Sequence, residues 1–221
     1  MKYVPFLLIL FLFSCRSEPQ TPPESPLQFR VLDTDFSKGQ LTNEQTVSLA
    51  DLEKFHGHLC DGLVVGALAM QQAAAKLYPD SVIDRTNLRV MSKPSPCLTD
   101  VAVYLTGGRY QFDTYYTAAD FDGIYQIQRL DNQKAVSVSL NRGVKPNAID
   151  SMGSLAVKGG LSPCEIDSLR IMEDAFTQKL LNGNPSDFFT VKKQIYFEWN
   201  PVLNTYPKTD VLNKDLPECR L

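Results

Sequence analysis

Histidine and tryptophan are scarce in this chain, which has two histidines, one tryptophan and five cysteines among 221 residues. Five cysteines are too few for a fold that depends on a dense disulfide framework. Basic residues are not in excess either, because 22 Lys and Arg stand against 25 Asp and Glu, a net charge of -3. Without a basic field to neutralise a phosphate backbone, nucleic-acid binding is excluded as a function class.

Long apolar runs and common catalytic motifs are also missing. The longest apolar run, residues 4–13, is too short to span a bilayer as a mature helix. There is no phosphate-binding glycine loop, no Ser/His/Asp order and no haem-attachment motif. Hydrophobic residues nevertheless make up 43% of the chain, which is enough to bury a core and excludes general disorder.

The N-terminal segment predicts export. Residues 1–14 combine one lysine with the short apolar run and end directly before Cys15. This pattern resembles a bacterial lipoprotein signal, in which the cysteine becomes the lipidated first residue. The alternative is a plain secretory signal with an incidental cysteine. We expect a protein of the cell envelope that faces the periplasm or the cell exterior and is held to the membrane by lipid only.

A proline-rich tether is predicted after the lipidated cysteine. Four prolines lie between Ser17 and Gln28, a density that favours an extended chain over a helix or an inner strand. We assign residues 15–40 to the lipidated cysteine and its tether, and residues 41–221 to a single globular domain.

Local signals predict helices and strands in separate runs, which is typical of the α+β class. Helix starts are indicated by Ser48, which precedes an acid three residues on, and by serine-proline pairs at Ser95 and Ser162. The predicted helices cover residues 49–55, 59–77, 96–105 and 163–182. The predicted strands cover residues 87–91, 124–130, 135–140 and 190–199, and the second and third of these form a hairpin. We expect a mixed sheet with packed helices.

The most informative segment reads FHGHLCDG over residues 55–62 and holds both histidines beside a cysteine. His56, His58 and Cys60 are spaced two apart, and in an extended stretch this spacing places their side chains on one face. Imidazole and thiolate together suit zinc or a neighbouring transition metal. Cys60 also stands where the next helix begins, and the unpaired N–H groups there favour a thiolate. The alternative is that the histidines only pack at a helix end.

A second cysteine is placed in the same way. Cys97 follows a serine-proline pair in the first turn of its helix, so two helix N-termini each present a sulfur to one ion. Asp100 lies one turn further on the same face, where it is a candidate ligand, a group that orients a ligand, or a base. The alternative is a disulfide between Cys60 and Cys97, although a simple bridge would not require the adjacent imidazoles.

These residues resemble the FmdE family of formylmethanofuran dehydrogenase proteins. The resemblance rests on FHGHLCDG, the small-residue helix after it, and a Cys-x-x-Asp stretch leading to Thr106-Gly107, and it covers about Leu49 to Phe189. It implies an α+β domain with a His/Cys metal site that usually holds zinc, and often a homodimer. The metal ligands carried over by position are His56, His58, Cys60 and Cys97.

The chain departs from the family pattern at several positions. Members commonly have proline where this chain has Asp61, Gly-Cys where it has Gly107-Gly108, and Gly-Lys-Gly where it has Arg109-Tyr110-Gln111. Many also carry a C-terminal zinc ribbon with paired C-x-x-C motifs, which this sequence lacks. A role as part of a cytoplasmic methanogenic complex is therefore not carried over, whereas the metal site is.

Three functions are consistent with this set of residues. The first is a lipid-anchored protein that binds zinc or a similar divalent ion. The second is a metalloenzyme, in which three protein ligands leave one position for water and an aspartate moves the proton, with Cys60 and Asp100 as the catalytic candidates. The third is a thiol redox protein that uses Cys60 and Cys97.

The last two cysteines are not part of the motif. Cys164 repeats the Ser-Pro-Cys-x-x-Asp pattern of Cys97. It is either a third sulfur near the site or, as we prefer, a buried or bridged thiol at a helix start. A pairing of Cys164 with Cys219 is one option, whose geometry depends on the fold.

Overall fold

The structure is a computed structural model that describes residues 26–33, 43–201 and Cys219. The signal predicted over residues 1–14, the lipidation site Cys15 and the first part of the tether lie outside the described residues. In chain order, the elements are β1 (Gln28–Leu32), β2 (Gln45–Ser48), α1 (Leu49–His56), α2 (Asp61–Leu77), β3 (Val82–Asp84), β4 (Leu88–Ser92), α3 (Pro96–Thr106), a 3-10 turn (Tyr110–Phe112), β5 (Tyr115–Thr117), β6 (Tyr125–Arg129), β7 (Ala135–Leu140), α4 (Asn147–Val157), α5 (Pro163–Asn182), α6 (Pro185–Phe188) and β8 (Phe189–Gln194).

The strands form two mixed sheets. β1 lies between β2, to which it is antiparallel, and β3, to which it is parallel. The larger sheet has the order β5-β4-β6-β7-β8, and its parallel pair is β4 with β5. Helix α2 contacts β6, β7 and β8 as well as α1, α3 and α5, so it lies at the centre of the core. This architecture confirms the predicted α+β fold with a mixed sheet and packed helices. In the part of the chain that the structure describes, no helix is both long enough and apolar enough to cross a bilayer.

Capping residues determine the helix starts as the sequence predicted. At α1 the Ser48 hydroxyl accepts the Asp51 N–H, and the Asp51 carboxylate accepts the Ser48 N–H. At α3 the Ser95 hydroxyl accepts the Leu98 N–H, and Pro96 takes the first helical position. These bonds satisfy backbone donors that a helix leaves unpaired, and so they fix where α1 and α3 begin.

The first strand corrects the predicted boundary of the tether. β1 lies within residues 15–40, so the folded part already includes Gln28–Leu32. Phe29 and Val31 alternate with exposed neighbours and are buried in the core. The prediction was wrong here because the partners of β1, above all the parallel strand β3, come much later in the chain.

The last strand is shorter than predicted. β8 ends at Gln194 rather than at residue 199. The chain after it turns so that the Trp199 ring meets Tyr116 edge-on and its indole N–H donates to Asp113 at 2.8 Å. The Arg89 guanidinium lies over the same indole ring, 4.8 Å from its centroid. Trp199 is therefore a packing residue, as the sequence indicated.

Helices α2 and α3 approach closely because α2 carries a glycine at their contact. A Cβ added to Gly66 would lie 2.7 Å from Tyr125 Oη, 3.2 Å from Leu98 Cδ2 and 3.3 Å from Val101 Cγ2. The Tyr125 phenol cannot easily move, because it is fully buried and donates to the Leu98 carbonyl at 2.9 Å. A side chain at residue 66 would therefore force the two helices apart.

We expect the Gly66→Ala variant to lose about 1–3 kcal/mol of unfolding free energy, since the added methyl group overpacks the contact between α2 and α3. Urea denaturation with a linear extrapolation measures this change. The matched control is Gly153→Ala in α4, where no atom lies within 4 Å of the added Cβ. The control should gain roughly 0.5–1 kcal/mol, because alanine favours a helix over glycine. Equal stabilisation by both substitutions would contradict the close approach of the helices.

Candidate metal centre

Two free cysteine sulfurs meet at the starts of α2 and α3. Cys60 is the N-cap residue of α2, and its Sγ accepts the Leu63 N–H at 3.3 Å. Cys97 is the second residue of α3, after Pro96. The two Sγ atoms lie 3.5 Å apart without a bond between them. The convergence of two helix N-termini that the sequence predicted is confirmed in this geometry.

His56 completes a group of three donor atoms. It is the last residue of α1, and its Nε2 lies 3.7 Å from Cys60 Sγ. The donor atoms of His56, Cys60 and Cys97 all lie within 4.8 Å of one another. Two sulfurs and a nitrogen on one tetrahedral zinc ion would be separated by roughly 3.6 to 3.8 Å, from the usual Zn–N and Zn–S bond lengths. The three side chains therefore fit one such ion in both chemistry and spacing.

Asp100 contacts the other nitrogen of the same imidazole. Its Oδ2 lies 2.7 Å from His56 Nδ1, and the His56 side chain is only 3% exposed. A carboxylate in this position accepts the Nδ1 proton, orients the ring and leaves the Nε2 lone pair to a metal. Of the three roles considered for Asp100, the geometry matches the group that orients a ligand.

The sulfurs and the imidazole influence one another's pKa values. The hydrogen bond from Cys60 lowers the pKa of Cys97 to about 7, against the opposing effect of burial. The same bond, together with burial, raises the pKa of Cys60. Burial alone would lower the pKa of His56, but the hydrogen bond to Asp100 and the charge of Cys97 hold that pKa above its ordinary value. Near neutral pH the metal-free sulfur pair therefore shares one proton.

His58 lies beside this group and is not part of it. Its side chain is exposed, and its ring is 4.7 Å from the His56 ring, at an interplanar angle of 35°. The predicted extended stretch with three side chains on one face is wrong, because His56 ends a helix and Gly57 turns the chain with a left-handed φ of 104°. The ligand role of His58 stays a prediction.

Gly62 and Asp61 lie against the sulfurs. A Cβ on Gly62 would be 2.9 Å from Cys97 Sγ and 4.0 Å from Cys60 Sγ, so a side chain at residue 62 would displace the sulfurs. Asp61 Oδ1 accepts the Gly62 N–H at 2.8 Å, and Asp61 Oδ2 lies 3.1 Å from Lys145 Nζ. Lys145 was not predicted from the sequence, because it lies in a loop far along the chain and belongs to no motif.

Cys164 and Cys219 are away from the candidate ligands in chemistry. They form a disulfide with a Cα–Cα distance of 4.8 Å, which confirms the pairing that the sequence left as an option. Cys164 is therefore not a third free sulfur. The bond links the first turn of α5 to the C-terminal part of the chain.

Comparisons with known proteins agree with the sequence motif. Residues 55–190 match the family model described as FmdE, Molybdenum formylmethanofuran dehydrogenase operon. No curated protein matches the chain. Among solved structures, an FmdE-like protein of tungsten formylmethanofuran dehydrogenase from Syntrophus aciditrophicus is 13% identical, with 67% of this chain and 72% of that chain covered and a TM-score of 0.44. The range matched by the family model contains all the candidate ligands.

We expect alkylation of Cys97 by iodoacetamide in metal-free protein to accelerate as the pH rises through about 7, because the thiolate is the reacting form. Cys60 should stay unmodified over the same range, since its pKa is raised. Mass spectrometry of digested protein, sampled over time at each pH, measures both rates.

The Cys60→Ala variant tests the cause of the lowered pKa of Cys97. Loss of the hydrogen bond should move the midpoint of Cys97 alkylation upward, towards that of an ordinary thiol. In the control, His58→Ala, the midpoint should not change. A Cys97 profile that is the same with and without Cys60 would contradict the proposed proton sharing.

Proposed function

The chain belongs to the FmdE family, and we propose that it binds a divalent transition metal, zinc in the first instance, through His56, Cys60 and Cys97. The observation that supports this proposal is the grouping of one imidazole and two free sulfurs within 4.8 Å. Soft sulfur with imidazole is the donor set that zinc prefers, whereas magnesium and calcium prefer oxygen. The alternative metals are neighbours of zinc in the same transition series.

Three protein ligands are the arrangement of a catalytic zinc site rather than of a closed structural one. A bound zinc ion would supply Lewis acidity to whatever ligand takes its fourth position. The residues of the chain would then orient the site: Asp100 holds the Nδ1 proton of His56, and the α2 start donates the Leu63 N–H to Cys60. A metal-dependent enzyme is therefore the finer form of this proposal, with Cys60 as a ligand and Asp100 as a positioning residue.

Purified full-length chain should contain about one zinc per molecule, because a set of three N and S ligands binds zinc tightly. We expect His56→Ala, Cys60→Ser and Cys97→Ser each to lower zinc affinity by more than roughly 100-fold, the upper end of losses seen for residues that only support a ligand. Elemental analysis gives the stoichiometry, and competition with a chromophoric chelator gives the affinity.

His58→Ala is the matched control for His56→Ala, since the two histidines differ by two positions and only one belongs to the donor group. It should change zinc affinity less than tenfold. A loss as large as that of His56→Ala would make His58 a fourth ligand. Full zinc content in Cys60→Ser would instead end the metal proposal.

A thiol redox function is the second candidate. It is favoured by the 3.5 Å separation of the Cys60 and Cys97 sulfurs and by the pKa of about 7 for Cys97. In this reaction the two thiols would lose two electrons and two protons to a substrate disulfide and form a bond with each other. Protein purified without reductant distinguishes the candidates: a Cys60–Cys97 bond without zinc favours redox, and two free thiols with zinc favour the metal site.

We also propose that the chain is exported and lipidated at Cys15. The disulfide between Cys164 and Cys219 supports export, because such bonds persist in oxidising compartments and are rare in the cytosol. The homodimer expected from the resemblance stays a prediction.

Cys15→Ser should move the protein out of the lipid-anchored fraction, since a serine cannot carry the thioether-linked lipid. Membrane fractionation and the intact mass of the N-terminal peptide measure this change. Cys97→Ser is the control and should fractionate like the wild type. If both the wild type and Cys15→Ser are cleaved and released as soluble protein, the segment is a plain secretory signal.

A further inference from the structure

Asp61 places a carboxylate next to the candidate ligands without joining them. It directly follows Cys60, and its neighbour Gly62 is in contact with both sulfurs. Only 13% of the Asp61 side chain is exposed. The donor group nevertheless consists of His56, Cys60 and Cys97 and leaves Asp61 outside. A carboxylate oxygen is an ordinary zinc ligand, so what keeps Asp61 outside the group requires an explanation.

Two contacts hold the Asp61 carboxylate in place. Oδ1 accepts the Gly62 N–H, which folds the side chain back on its own backbone. Oδ2 is buried and, among the described residues, has no hydrogen bond of good geometry, so its 3.1 Å contact with Lys145 Nζ acts through charge. Lys145 is thus the counter-charge of a buried carboxylate.

Lys145 is itself held by a second carboxylate. Its Nζ lies 3.0 Å from Asp150 Oδ1 in α4, and Glu173 of α5 is close enough for its pKa to respond to both Asp61 and Lys145. The attraction of Asp61 and Asp150 outweighs the cost of burial and raises the pKa of Lys145, so the ammonium stays charged. The lysine is therefore anchored in the loop before α4, on the side away from the sulfurs.

We infer that Lys145 is a positioning residue that keeps Asp61 off the metal and so leaves the fourth coordination position open to an external ligand. This inference rests on the proposed metal function. Without the lysine, Asp61 would be a buried carboxylate with no counter-charge, which is strongly unfavourable. The bound cation would then be its nearest compensating charge, and the carboxylate would close the site.

Cobalt spectroscopy tests this inference with azide as the probe ligand. Full-length chain is stripped of metal, loaded with Co²⁺ and titrated with azide under anaerobic conditions without thiol reductant. We expect azide to change the visible d–d bands of the wild type. In Lys145→Met the bands should differ before azide is added, and the apparent azide affinity should fall by roughly tenfold or more, a typical effect of a residue that supports a metal site.

Two further variants separate this role from a general loss of structure. Lys145→Arg keeps the charge and should respond to azide like the wild type. The double variant Asp61→Asn/Lys145→Met removes the competing carboxylate and should recover the azide response. Lys145→Gln is a polar alternative if Lys145→Met does not fold, and it should also weaken the azide response.

The outcomes are distinguishable. Wild-type spectra and azide affinity in Lys145→Met or Lys145→Gln would overturn the role of Lys145 while leaving the metal proposal intact. A wild type that binds no cobalt would overturn the metal proposal and this inference with it. A weak azide response that the double variant does not recover would also overturn the inference, since Asp61 would then not be the occupant.

Discussion

The close contact between the starts of α2 and α3 is the constraint on which the candidate centre depends. Gly62 and Gly66 lie one turn apart on the face of α2 that meets α3, and a Cβ at either position would overlap atoms of the opposing elements. Only with both glycines can the sulfurs of Cys60 and Cys97 come within 3.5 Å. The ligand spacing is therefore a property of helix packing rather than of flexible side chains.

Charge compensation around the centre follows a simple pattern. Each nearby carboxylate already has a partner of its own: Asp100 contacts the His56 ring, and Asp61 contacts the Lys145 ammonium. The two thiolates are then the anionic groups that remain for a cation. A divalent ion would neutralise them, and an additional anionic ligand would leave a net negative charge. This balance explains why a neutral or exchangeable fourth ligand suits the site better than a permanent carboxylate.

Local features of the fold could be predicted from the sequence, because a capping residue and the backbone it bonds are neighbours in the chain. Ser48, Ser95 and Ser162 each begin a helix as predicted, and two of the three donor residues follow from those starts and the motif. The parallel pairing of β1 with β3 could not be predicted, since nothing local encodes a partner so distant. Lys145 was missed for the same reason. The arrangement of His58 was misjudged, because one left-handed residue, Gly57, redirects the chain.

The two pairs of cysteines have different chemical states in the same chain, and this difference connects the proposed location to the proposed metal. Cys164 and Cys219 are joined, as expected of an exported protein, whereas Cys60 and Cys97 stay separate at 3.5 Å. In an oxidising compartment two thiols this close, one with a pKa of about 7, are readily oxidised to a disulfide unless something else holds them. A bound metal ion would occupy both sulfurs and protect them from oxidation. Export without a metal therefore favours the redox function, and export with free thiols favours the metal site.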